Sequence, residues 1–111
     1  MKSLNSFLFG EETCFTIHGY PSCPYYQRAI KLGDAIEQGN KNIKVTVNEV
    51  DKEEWKEFLE KESVGLGQRA KYHQTCPMVV EGCTDDSKAF VGGFSDFLNQ
   101  SKKRNYLKSN K

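Results

Sequence analysis

His18-Gly19-Tyr20-Pro21-Ser22-Cys23-Pro24-Tyr25-Tyr26-Gln27-Arg28 decides how this chain folds. It follows a strand-like run, Thr13-Cys14-Phe15-Thr16-Ile17-His18, rich in β-branched and aromatic residues and closed by Gly19. It then opens an amphipathic helix. Pro24 suits the first helical turn, where its missing N–H is no loss and its fixed φ is already helical. Cys23 therefore falls at or beside the N-cap. The unsatisfied amides and the positive end of the helix dipole point at its sulfur and favour the thiolate. Such a cysteine is a candidate nucleophile at neutral pH; the plainer reading is a buried structural cysteine at a strand–helix junction.

Working outward, the helix predicted over residues 24–38 carries Tyr26, Ala29, Ile30, Gly33 and Ile36 on one face. Arg28, Lys31, Asp34 and Glu37 occupy the other, and Gly39-Asn40 ends it. Residues 43–47 alternate apolar and polar, as in a strand with one buried face. A second helix is expected over 52–62 with the stripe Trp55, Phe58 and Leu59, followed by a connecting loop over 63–74. Met78-Val79-Val80-Glu81 and Lys88-Ala89-Phe90-Val91 read as an antiparallel hairpin around a turn at 82–86. Gly92-Gly93 precedes a last helix over 94–106, for which Ser95 or Asp96 is the expected cap. The pattern β-α-β-α-β-β-α packs as a central sheet with helices on both faces. The junction bearing Cys23 lies at the carboxyl end of a strand, where open α/β sheets place their sites.

The 111 residues allow one domain, over 13–107, with an N-terminal arm over 1–12 and a basic tail over 108–111. The arm carries Phe7, Leu8 and Phe9, which suit either a loose segment or a short surface helix. The formal charge is +1, from 16 basic and 15 acidic side chains, which argues against a nucleic-acid footprint. Five of the last eleven residues are Lys or Arg, a pattern that reads as a solvated terminus. No apolar run reaches the length of a membrane span, and the first ten residues are too polar for a signal peptide. The chain reads as cytoplasmic, with reduced thiols. Cys14, Cys23, Cys76 and Cys83 show no C-x-x-C spacing, which disfavours a zinc site. Cys14 reads as an inert strand residue and Cys83 as a turn residue that nothing activates. His18 and His73 read as solvated.

Three separated motifs resemble those of glutaredoxins, over residues 13–100. Cys23-Pro24-Tyr25-Tyr26 is similar to the family's C-P-Y-C, Thr75-Cys76-Pro77 to its T-V-P, and Gly92-Gly93-Phe94-Ser95-Asp96 to its G-G-x-S/T-D. The resemblance implies a thioredoxin fold with a four-stranded mixed sheet, and a glutathione-dependent thiol–disulfide oxidoreductase. It implies Cys23 as the nucleophile and Pro77 as a cis-proline against the site. The main chain of Cys76 would pair with the cysteinyl part of glutathione. Gly93, Ser95 and Asp96 would hold its γ-glutamyl end, and Thr75 and Tyr25 would line the groove.

Three departures bear on mechanism. Tyr26 stands where the second cysteine is expected, so an intramolecular C-x-x-C disulfide is closed and a monothiol cycle with free glutathione is left. Cys76 replaces an aliphatic residue before the proline; it is either a small apolar filler or a substitute resolving thiol for Cys23. Tyr20 replaces a basic residue three places before the nucleophile, leaving Gln74 or Lys71 to meet the glycyl carboxylate. Glutathione is the expected reductant and no metal is expected. Expected partners are glutathionylated proteins, small mixed disulfides, or a reductase such as ribonucleotide reductase, with no nucleic acid and no membrane. Two other classes compete: a glutathione-assisted [2Fe–2S] carrier, disfavoured by the bulk of Pro24 and Tyr26, and a catalytically degenerate interaction module, disfavoured by the intact Cys23.

Overall fold

The computed structural model describes residues 12–107. Strand β1 spans Thr13–Gly19, helix α1 Pro24–Gly39 and β2 Ile43–Glu49. A 3₁₀ turn at Lys52–Glu54 runs into α2, Trp55–Glu62, and a short α3 follows at Gln68–Lys71. Strands β3, Met78–Glu81, and β4, Ala89–Gly92, are joined through a 3₁₀ turn at Asp85–Ser87, and α4 spans Phe94–Lys103. The sheet order is β2-β1-β3-β4. β1 and β2 are parallel, as a β-α-β crossover requires, and the remaining pairs are antiparallel. This is the thioredoxin fold, α/β with a four-stranded mixed sheet.

Strand alternation divides the core in two. Phe15 and Ile17 of β1 and Val79 of β3 face α1 and α4, meeting Tyr26, Ala29, Leu32, Ile36 and Phe97. Met78 and Val80 of β3 face α2 and α3, meeting Trp55, Leu59 and Ala70. Burial of each large apolar side chain contributes about 1.5–3 kcal/mol, so both helical layers are firmly held. Gly33 lets α1 approach the sheet: a Cβ there would lie 2.8 Å from Val45 Cγ1 and 3.2 Å from Ile17 Cδ1. The end of α4 is closed by a left-handed Asn105, φ 63°, with Asn105 N–H donating to Lys102 O and Tyr106 N–H to Ser101 O. This closure is why the helix stops at Lys103 and not at 106.

Other expectations need correction. The stretch 63–74 contains α3 instead of being all loop. The 52–62 helix begins as a 3₁₀ turn. Leu32 belongs to the buried face of α1, while Ile30 is only partly covered. Val47 is 43% exposed, because β2 is an edge strand. The cap of α4 is Gly93, and Asp96 reaches back from the first turn to accept its N–H at 3.0 Å.

The largest correction concerns Cys14 and Cys83, expected as reduced thiols in a strand and a turn: they form a disulfide. Antiparallel pairing sets Phe15 against Glu81, and Gly82 N–H donates to Cys14 O at 2.8 Å. That register carries the turn after β3 to the start of β1, with the two Cα atoms 4.9 Å apart. Of the arm expected over 1–12, residues 1–11 lie outside the described residues, as does the tail at 108–111.

Candidate active site

Cys23 is the N-cap of α1, with extended backbone at φ −87° and ψ 115°. The turn before it is closed by Cys23 N–H donating to Tyr20 O at 3.1 Å. Its sulfur accepts the Tyr26 N–H at 3.3 Å, one of the donors a helix start leaves unpaired. Its thiol donates to the Cys76 carbonyl at 3.3 Å. The sulfur thus lies between the start of α1 and the strand entry before β3. The Cys76–Pro77 peptide is cis, as expected. Cys23 is buried, at 6% exposure, and sits at a helix start.

The three sequence motifs converge. A Cβ on Gly93 would lie 3.7 Å from His73 Cε1 and 3.8 Å from Pro77 O, so the Gly92-Gly93 turn rests against the cis-proline loop. Gly92 has φ +133°, which glycine adopts without strain. Tyr25 is half exposed, 6.2 Å from Phe94 between ring centroids, with the Arg28 guanidinium 5.3 Å from its own centroid. Tyr25 and Phe94 bridge the starts of α1 and α4. Ser95 is exposed near the start of α4. Asp96 is already engaged, by the Gly93 amide and by Arg69 Nη2 at 4.0 Å.

Gln74 and Lys71 flank a cleft whose lining does not include Cys23. With His73 they border this cleft, of about 1010 Å³, whose other wall is Trp55, Leu59 and the Ser63–Gly67 turn. Thr75 is exposed between that cleft and Cys76.

Cys76 is half-buried and packs against both halves of the core. Burial chiefly pushes its thiol up to about 12. A side-chain hydrogen bond with Cys23 adds to the rise, a backbone hydrogen bond at Tyr20 opposes it, and the Cys23 charge raises it further. Burial likewise raises Tyr20, with Cys76 and Cys23 adding to it.

Both histidines depart from the solvated reading. His18 is buried beside Phe58, with Nδ1 3.0 Å from Asn48 Nδ2 and Nε2 3.7 Å from Glu62. Desolvation chiefly lowers its value, Glu62 opposes and Lys88 assists. His73 Nε2 meets Pro77 O at 3.0 Å, buttressing the cis-proline loop.

Two cations near the site were not legible in the sequence. Lys52 Nζ lies 5.8 Å from the Tyr20 ring centroid, bringing positive charge beside the position where the basic residue is missing. Arg69 lies over Phe90 and donates to Val91 O at 3.1 Å. Neither is within the three glutaredoxin-like motifs; the packing of α3, and of α2 with the 3₁₀ turn before it, brings them there. Among the described residues, Glu12, Cys14 and Cys83 form the one group spaced to hold a metal ion, and its two sulfurs are joined as the disulfide.

A family model described as "Putative malate dehydrogenase 1B N-terminal domain" matches residues 14–111. The chain belongs to this family. Among solved structures, reduced Escherichia coli glutaredoxin is similar to this domain, with a TM-score of 0.60 and 24% identity over 81% of this chain and 94% of that one. No curated protein matches. The glutaredoxin resemblance is thus one of fold, while the sequence family is the malate dehydrogenase 1B N-terminal domain. The chain contains Gly65-Leu66-Gly67-Gln68-Arg69-Ala70, a G-x-G-x-x-A spacing. Here the run follows helix α2 and opens a helix of four residues, not the strand-to-helix turn that cradles a dinucleotide. Among the described residues, no helix is long and apolar enough to cross a membrane.

Proposed function

We propose that this chain is a glutathione-dependent thiol–disulfide oxidoreductase that reduces glutathione mixed disulfides by a monothiol cycle. The observation that carries this reading is the Cys23 sulfur at the N-cap of α1, accepting the Tyr26 amide and facing the Cys76–Pro77 backbone. The Cys23 thiolate attacks the glutathione sulfur of a mixed disulfide, and the other half leaves as a thiol after taking up a proton. A second glutathione thiolate then attacks the bound glutathione sulfur, releasing Cys23 and glutathione disulfide.

In this reading the Cys76 main chain pairs with the cysteinyl part of glutathione, and Tyr25 and Thr75 wall the groove. Gly93, Ser95 and Asp96 receive the γ-glutamyl end, with Arg69 beside Asp96 available to its carboxylate. Gln74 and Lys71, with Lys52 near Tyr20, are the polar groups for the glycyl end. Glutathionylated proteins, small mixed disulfides and a disulfide-forming reductase such as ribonucleotide reductase are the substrate classes that fit. No resident metal enters the cycle. We propose the cytoplasm as its compartment, where reduced glutathione is supplied, with Cys14–Cys83 kept there as a structural disulfide.

The test is glutathione-dependent turnover of a small glutathione mixed disulfide by the full chain and by Cys23→Ser. Turnover is expected for the wild type and background rate for the variant. Equal turnover by both, or none by the wild type, would overturn the reading.

A further inference from the structure

Tyr26 removes the usual partner of the nucleophile, yet a second free thiol touches Cys23 from another direction. Among the described residues Cys23 and Cys76 are the two free cysteines, and they lie against each other. The Cys23 thiol donates to the Cys76 carbonyl at 3.3 Å. The pair is 53 residues apart in sequence, yet the strand entry at Cys76–Pro77 is pinned on its far side by His73.

We propose that Cys76 is the resolving thiol of Cys23, so that the redox pair of this domain spans the helix start and the cis-proline instead of one helical turn. This rests on Cys23 being the nucleophile of the preceding section. It adds an intramolecular route beside the glutathione-resolved one.

With glutathione disulfide as the oxidant, the Cys23 thiolate attacks one sulfur. A Cys23–glutathione bond forms, the first glutathione leaves as thiolate, and it takes up the proton Cys23 gave to solvent. Cys76 then gives its proton to solvent and attacks Cys23 Sγ. The Sγ–Sγ bond forms, the bond to glutathione breaks, and the second glutathione thiolate is protonated. Two protein thiols are oxidised and one disulfide is reduced to two thiols. Two glutathiones, or one dithiol, reverse the sequence.

The high resting value of Cys76 is compatible with this order. Burial is the largest raising cause and stays in place; the other two, a hydrogen bond with Cys23 and the Cys23 charge, come from Cys23. Converting Cys23 to a neutral mixed disulfide removes both, so Cys76 becomes easier to ionise at the step where its thiolate is needed. Before that step it stays protonated and does not compete as a nucleophile.

The full chain is reduced at the free thiols, treated with glutathione disulfide, quenched in acid and mapped by mass spectrometry without reduction, beside Cys76→Ser and Cys76→Ala. The wild type is expected to end as a Cys23–Cys76 crosslinked peptide free of glutathione, and both variants to keep glutathione on Cys23. A wild type that also keeps glutathione on Cys23 overturns the resolving role and leaves the thiol–disulfide reading standing. Failure of all three proteins to take glutathione onto Cys23 overturns both.

Discussion

Replacing Gly19 by alanine probes how the start of α1 is locked to β1. Gly19 ends β1, and its backbone lies outside the left-handed region, so it is glycine for space and not for conformation. An added Cβ would overlap Tyr26 Cδ1 and lie 2.5 Å from Cγ and 2.9 Å from Cε1, where ordinary contact is 3.4–4 Å. The Tyr26 ring is 1% exposed and walled by the core, so it has nowhere to move without shifting α1. Overpacking of this kind costs about 1–3 kcal/mol. For a domain of this size that lowers the thermal midpoint by roughly 5–20 °C. The same shift displaces the Tyr26 amide that holds the Cys23 sulfur, so alkylation of Cys23 should slow together with the loss of stability. Thermal and urea unfolding followed by circular dichroism give the first quantity. The decisive control is Tyr26→Ala, which removes the ring; in that background Gly19→Ala should be nearly neutral, a coupling of about 1–3 kcal/mol. A midpoint within about 2 °C of the parent, or the same loss in both backgrounds, would refute the reasoning.

Three further outcomes follow from the geometry. His18 is held below the ordinary imidazole value near 6.5 by burial, with Asn48, Glu62 and Lys88 around it. Because the unfolded chain protonates first, its contribution is complete above about pH 6.5 and is lost as pH falls toward the folded value, at no more than about 1.4 kcal/mol per pH unit; urea midpoints from pH 5 to 8 should show this slope, and His18→Gln should flatten it. The Cys14–Cys83 bridge closes a separation of 69 residues, so Cys14→Ser with Cys83→Ser should lower stability by about 4 kcal/mol, read from urea unfolding of the oxidised parent and the double variant. Cys76, at about 12, should resist iodoacetamide in the native protein at pH 8 and react fully once unfolded, as peptide mapping after brief labelling would record.

Most of the fold was legible because its signals are local. The run of β-branched residues before Gly19, the placement of Pro24, and the three-and-four spacing from Tyr26 to Ile36 depend on neighbours within a few turns of chain. Element boundaries were less legible where the chain bends: α3 is four residues long, too short for periodicity to register, and the cap of α4 is Gly93, ahead of Ser95 and Asp96, because Asp96 reaches back. Val47 alternated correctly and was still exposed, since alternation reports a strand but not whether that strand is at the edge.

The candidate site divides in the same way. Sequence alone determined that a cysteine begins a helix after a strand, because proline geometry and the unpaired amides of a first turn act over three or four residues. Only the tertiary structure decided which groups meet that cysteine. Cys76 is brought against Cys23 by β3 entering beside β1, and the same strand register joins Cys14 to Cys83. Lys52 and Arg69 reach the site because α2, with the 3₁₀ turn leading into it, and α3 pack on one face of the sheet. Contacts between residues dozens of positions apart depend on register and layer packing, which no local pattern of side chains encodes.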